Sequence, residues 1–376
     1  MSLAATTVTG RLVLEDRVAD GRLSIEDGWI AAVDLSGDTT TTGSYIAPGF
    51  ADVHVHGWGG HDAMGERGAL DGMARGLLRH GVTSFLPTAV TAPLDALLDF
   101  ADRVRSWMAD APVDGAEPLG FNLEGPFLAE PRRGAHDPAH LLAPADAPPS
   151  TIDSLVDRLR LLTVAPELSG ALDLIRRLNR EGVAVSIGHS AATVDEARSG
   201  FAAGATSTTH LFNAMTGIDH RNPGLALAAL LDDVAYVELI ADGIHVHQAV
   251  WELIRRAKPA DRLLLVSDAL PIAGTGDGRG RIGRLDIEVH GLRATLAGTS
   301  TLAGSVVSLD VAVRNLVESG APLPAAVAAA SRNPLTLIGV SDRGRIGVGQ
   351  RADLVELDDD LHVCRVMRAG TWFSRD

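Results

Sequence analysis

The chain has 376 residues, room for one barrel of roughly 250 residues plus a small companion, and its 46% hydrophobic and 22% charged content leaves no disordered tract to explain. A formal charge of -15 without any long Arg run excludes nucleic acid and anionic membrane as partners, because both need a basic footprint. Cys364 is the only cysteine, so neither an intramolecular disulfide nor a thiolate metal cluster can form.

The N-terminal stretch has no basic segment leading into an apolar one, and the longest apolar runs, such as Leu225 to Leu231, fall far short of a membrane span. A soluble, cytoplasmic protein is expected. From Thr7 to Asp34 the pattern is short, alternating and punctuated by turns, with Val8, Leu12, Leu14, Leu23, Ile25, Ile30 and Val33 as its apolar members. Arg351 to Phe373 reads the same way. Neither end has enough strands to bury a face alone, so the two are expected to meet in one small β-sandwich, residues 1–48 with 345–376, beside a larger unit over 49–344.

Between the ends, apolar β-rich runs recur at Ile46 to Val55, Thr83 to Val90, Leu119 to Leu123, Leu159 to Val164, Val183 to Ile187, Ala205 to Thr209, Ala235 to Ile240 and Arg262 to Val266. Helical spacing separates most of them, at Leu70 to Arg79, Leu94 to Trp107, Gly170 to Asn179, Val194 to Ala203 and Gln248 to Ala257. Eight strands alternating with helices predict an α/β fold, a closed parallel (β/α)8 TIM barrel. The Pro- and Ala-rich segment from Pro126 to Ser150 is an irregular excursion, long enough for a lid or binding loop.

Barrel enzymes take their catalytic groups from the C-terminal ends of the strands. Here strand one ends in His54 and His56, strand three in Glu124, strand five in His189, strand six in His210 and strand eight in Asp268. The two histidines of His54-Val55-His56 are two apart, so on an extended strand they share a side and can bind one ion. Two ions held together need an anionic bridge. A carboxylated lysine on strand four is ruled out, because the only lysine, Lys258, follows a predicted helix just before strand eight. Glu124 is the natural carboxylate, since Gly125 and Pro126 end the strand and leave its side chain at the rim. Imidazole at positions 189 and 210 suits zinc or ferrous iron. Asp268 follows a strand buried on both faces and is expected to serve as general base and then general acid.

In these motifs, and in Ala47-Pro48-Gly49-Phe50-Ala51-Asp52, Leu123-Glu124-Gly125-Pro126-Phe127, Gly188-His189-Ser190, His210-Leu211-Phe212-Asn213-Ala214-Met215, Ala241-Asp242-Gly243-Ile244-His245 and Leu302-Ala303-Gly304-Ser305, the chain resembles the N-acetylglucosamine-6-phosphate deacetylases of the amidohydrolase superfamily. That resemblance spans nearly the whole length. It implies deacetylation of N-acetylglucosamine 6-phosphate with one or two divalent ions, zinc or iron, on Glu124, His189 and His210, the second ion depending on His54 and His56. It further implies that Asn213, Ala214 and His245 hold the phosphate, that His136 contacts the sugar, that Leu302 lines the substrate site, and that Arg221 reaches the neighbouring site in a homodimer.

The loop Leu270 to Gly283 departs from the family pattern, and His247 is an added imidazole, read here as a helix start without a role. His61, His80, His140, His220, His290 and His362 are read as solvated loop or helix-end residues. The competing readings are a deacetylase for the galactosamine epimer, a cyclic amidase or deaminase on the same scaffold, and a catalytically silent sugar-phosphate sensor. The silent sensor would usually have lost a ligand or the acid.

Overall fold

The structure, a computed structural model, describes residues 6–36 and 43–374. The outermost residues of the expected terminal β unit, 1–5 and 375–376, and its segment 37–42 lie outside the described residues.

Eight strands pair in parallel and in chain order: Phe50–Val55, Val82–Val90, Phe121–Glu124, Leu159–Val164, Ala184–Ile187, Ser207–Thr208, Tyr236–Leu239 and Leu263–Leu265. The ring is drawn together at its mouth by the backbone, where Asp268 N donates to His54 O at 2.9 Å and His56 N donates to Ala269 O at 2.9 Å. Strands one and eight therefore meet. A buried cluster joins Val53, Leu86 and Leu161 with Ile240 and Val266, residues from both ends of the strand order, which a flat sheet could not bring into contact.

Helices cover the outside because their apolar positions fall on one face. Leu94–Met108 buries Leu97, Phe100, Ala101, Val104 and Trp107. Trp107 packs edge-on against Phe85 of strand two and Phe100 against Phe121 of strand three, with ring centroids 6.2 and 5.7 Å apart. Truncating such an aromatic costs about 3–5 kcal/mol. Val194–Ala203 begins at a capping box between Thr193 and Glu196 and stops at Gly204, whose φ of 116° no longer suits a helix. Gln248–Ala257 is capped by His247, whose Nδ1 accepts the N–H of Ala249 at 3.2 Å, so this added imidazole is a helix cap.

Both ends of the chain build a single seven-stranded sheet around its own core of Val8, Leu12, Leu23, Ile30, Ile46 and Leu354. The expected run from Ile46 to Val55 is here two strands. Tyr45–Pro48 pairs with Leu354–Leu357 of this sheet, whereas Phe50–Val55 enters the barrel. Gly49 is the switch point between the two units, its N–H bonded to Asp353 O at 2.8 Å.

Other elements had no counterpart in the sequence reading. After strand eight, Gly278–Ile282, Leu285–His290 and Arg293–Leu296 form an antiparallel sheet of three strands, the first of which lies at the end of the loop where the family pattern weakens. Helices Leu309–Glu318, Leu323–Ala329 and Arg332–Leu337 follow. The excursion after strand three contains three short 3-10 turns and leads into a helix at Pro149–Val156. No helix among the described residues is long and apolar enough to cross a membrane.

Candidate metal centre at the barrel mouth

Strand one is buried along its whole length, so the alternation in Asp52-Val53-His54-Val55-His56 sends three polar side chains to one face. Asp52 Oδ1 accepts the backbone N–H of His54 at 3.2 Å and fixes the start of the pair. The Nδ1 atoms of both histidines point away from the mouth. That of His54 donates to Glu238 Oε2 at 3.0 Å, and that of His56 donates to Thr88 O at 3.1 Å. Both Nε2 atoms consequently face inward, 3.4 and 3.0 Å from Glu124 Oε2 and 3.5 and 3.2 Å from Asp268 Oδ1.

Glu124 is the last residue of strand three, and a Cβ on the following Gly125, at φ 106°, would collide with Thr91. Its other oxygen, Oε1, lies 3.0 Å from His189 Nε2 and 2.9 Å from His210 Nε2, which are themselves 3.1 Å apart. His189 Nδ1 donates to Arg132 O at 2.8 Å. One carboxylate thus faces two pairs of imidazoles. His189, His210 and Asp268 turn out of their strands with φ of 46, 26 and 48°, a conformation that costs non-glycine residues about 1–3 kcal/mol each and persists where the surroundings over-determine it.

Burial and charge pull the groups of this cluster in opposite directions. Burial lowers the basicity of His56, yet Asp268 and Glu124 together push it up to about 9, while His54 is held well above its usual range by Glu124, Glu238 and Asp268 against the same burial. Burial wins at His189, which falls to about 4 despite Glu124. Burial also opposes ionisation of Glu124, but His54 and His136 hold its carboxyl well below the usual range. His189 is therefore neutral at pH 7, with its Nδ1–H committed to Arg132, and it turns an Nε2 lone pair toward an ionised oxygen 3.0 Å away. Two lone pairs at that separation repel unless a cation reconciles them. The donor set of four imidazoles and two carboxylates, all buried, fits a divalent cation.

His136 has the opposite tautomer. Its Nδ1 accepts the backbone N–H of Thr91 at 3.2 Å, so the proton sits on Nε2 and is donated to Glu124 Oε2 at 3.3 Å. It approaches Glu124 and His189 closely enough to resemble a ligand. Its chemistry is that of a donor.

These groups, apart from the fully buried His54, line a cleft of about 360 Å³. Asn213, Ala214, His245 and Leu302 share its wall, so the structure brings all but one of the expected site residues together. His245 is oriented by Asp242, whose Oδ2 accepts its Nδ1–H at 2.6 Å. Arg221 is the exception. It is exposed on the loop before Leu225–Leu231 and does not line this cleft. Two residues escaped the sequence reading. Among the described residues Arg132 is the one Lys or Arg lining the cleft, and its signal was the Arg132-Arg133 pair just ahead of His136. Glu238 stands beneath His54, and its signal was a lone acid inside an apolar strand.

The amidohydrolase family model matches residues 45–373. An N-acetylglucosamine-6-phosphate deacetylase of Bos taurus is 40% identical over 337 residues, 85% of this chain and 81% of the relative. An N-acetylgalactosamine-6-phosphate deacetylase of Escherichia coli is 39% identical over 372 residues, 96% of this chain and 97% of that one. A mutant N-acetyl-D-glucosamine-6-phosphate deacetylase from Mycobacterium smegmatis, solved in complex with N-acetyl-D-glucosamine-6-phosphate, superimposes with a TM-score of 0.90 at 35% identity, covering 98% of this chain and 99% of its own. The chain belongs to the amidohydrolase family, among the deacetylases of amino-sugar 6-phosphates.

Proposed function

We propose that this enzyme hydrolyses the acetamide of N-acetylglucosamine 6-phosphate to acetate and glucosamine 6-phosphate. The observation that carries the reading is the meeting of Glu124, His189, His210 and Asp268 on one cleft at the barrel mouth. Glu124, His189 and His210 would hold one divalent ion, zinc or ferrous iron, and His54 and His56 with Glu124 and Asp268 a second. Such an ion, when bound, polarises the acyl oxygen and lowers the pKa of water.

The remaining steps fall to side chains. Burial opposes the ionisation of Asp268, yet His54 and His56 hold its carboxyl below the usual range, so it is a carboxylate free to accept a proton. It takes that proton from the attacking water as the C–O bond forms, and delivers it to the nitrogen as the C–N bond breaks. His136, whose Nε2–H stands 3.3 Å from Glu124 Oε2, would share that hydrogen with the bound sugar. For the phosphate, Asn213 and the backbone of Ala214 would provide donors, His245 would face it with the Nε2 that Asp242 leaves free, Arg132 adds a cation from the same chain, and Arg221 is assigned to the neighbouring subunit of a homodimer. Leu302 supplies apolar wall. A cytoplasmic setting fits the exposed, unpaired Cys364.

The 39% identity to a galactosamine-epimer deacetylase supports a second reading at the same cleft. Acetate release from the two epimeric sugar phosphates tests both. Faster release from the glucosamine epimer is expected; faster release from the galactosamine epimer would transfer the assignment, and none from either would end it.

A further inference from the structure

Glu238 lies within strand seven, Tyr236–Leu239, and its side chain is completely buried. A carboxylate in such a place is costly unless something compensates its charge. Its Oε2 accepts two N–H groups, the Nδ1–H of His54 at 3.0 Å and the backbone N–H of His210 at 3.0 Å. Its Oε1 is buried with no hydrogen-bond partner.

The inward-facing histidines differ in what stands behind them. Behind His56 and His189 are the neutral carbonyls of Thr88 and Arg132, and the Nδ1 of His210 is buried with no hydrogen-bond partner. Among the described residues only His54 of these four has a carboxylate at its back. An acid on the far nitrogen fixes the tautomer and makes the near nitrogen a stronger donor to a cation. The near nitrogen here, His54 Nε2, has no hydrogen bond of its own and faces Glu124 and Asp268.

We propose that Glu238 is a positioning residue that sets how firmly the His54 and His56 half of the centre holds a cation, while leaving the His189 and His210 half unaffected. The inference rests on the metal reading given under Proposed function. A purely structural role, satisfying the N–H of His210, is separated from it by Glu238→Gln, which keeps a carbonyl oxygen for both N–H groups and removes the charge.

The test is zinc titration calorimetry on the metal-stripped full chain, in wild type, Glu238→Gln and Glu238→Ala. Wild type should show two binding events per subunit. The tighter should persist unchanged in both variants, and the weaker should lose about 10-fold in affinity with Gln and about 100-fold with Ala. If the alanine chain does not fold, the glutamine chain alone decides. Two unchanged events, or equal weakening of both, would overturn the proposal. A single event in wild type would overturn it while leaving a one-metal deacetylase intact. Absence of zinc binding by wild type would defeat that wider reading as well.

Discussion

Asp268 bears the chemical demand of the site. It is buried, turned out of strand eight at φ 48°, and held ionised by His54 and His56. Asp268→Asn preserves shape and removes the proton acceptor, so the variant should keep its metal content and lose about 10²-fold or more in turnover. Emission spectroscopy and acetate release measure the two. Full turnover in the variant would contradict the proton-transfer role. The six groups at the metal and the proton were nameable from sequence because each follows or ends a strand in a short motif. What could not be read was their orientation. The tautomer of His136 depends on Thr91, 45 residues away, and that of His54 on Glu238, 184 residues away. Such contacts exist only once the ring has closed.

At the level of elements, Leu159–Val164, Val194–Ala203 and Gln248–Ala257 have the bounds their periodicity implied, because one continuous pattern and a defined end coincide in each. Ser207–Thr208 shrank to two residues, and the run around Gly49 divided, because hydropathy does not say which sheet a strand joins. The antiparallel sheet at 278–296 went unread: alternating Gly and Arg leave Gly278–Ile282 little apolar signal, although Leu285, Ile287 and Val289 alternate as a strand would. Between the terminal sheet and the barrel, Glu117, in a short strand Glu117–Pro118 paired with strand two, meets Arg343 at 3.1 Å, Arg351, and Arg368 at 3.7 Å. Burial opposes its ionisation, but Arg351 and Arg343 hold its carboxyl below the usual carboxylate range. A depressed carboxyl stabilises the fold above its unfolded value and loses that contribution as pH falls through the folded one. Glu117→Gln should therefore cost about 2 kcal/mol at pH 7, with the difference closing as pH falls through and below the usual carboxylate range, as read by denaturant unfolding at several pH values. A pH-independent difference would mean that packing, not charge, joins the two units.

Across the whole molecule, residues 54 to 268 are gathered because parallel strands wind once round and end on the same side. The acidic balance of the chain is offset locally at that mouth, where imidazoles and Arg132 face the cleft. The barrel, its eight strands and the meeting of the chain's two ends were legible from alternation alone; the exposed position of Arg221 away from the cleft was not, because it depends on packing beyond the repeating pattern. Anomalous diffraction at the zinc or iron edge, from crystals grown with that metal, addresses the shared cation directly. Expected is a peak in contact with Glu124, His189 and His210 together. A chain that releases acetate yet shows no peak among those three would contradict it.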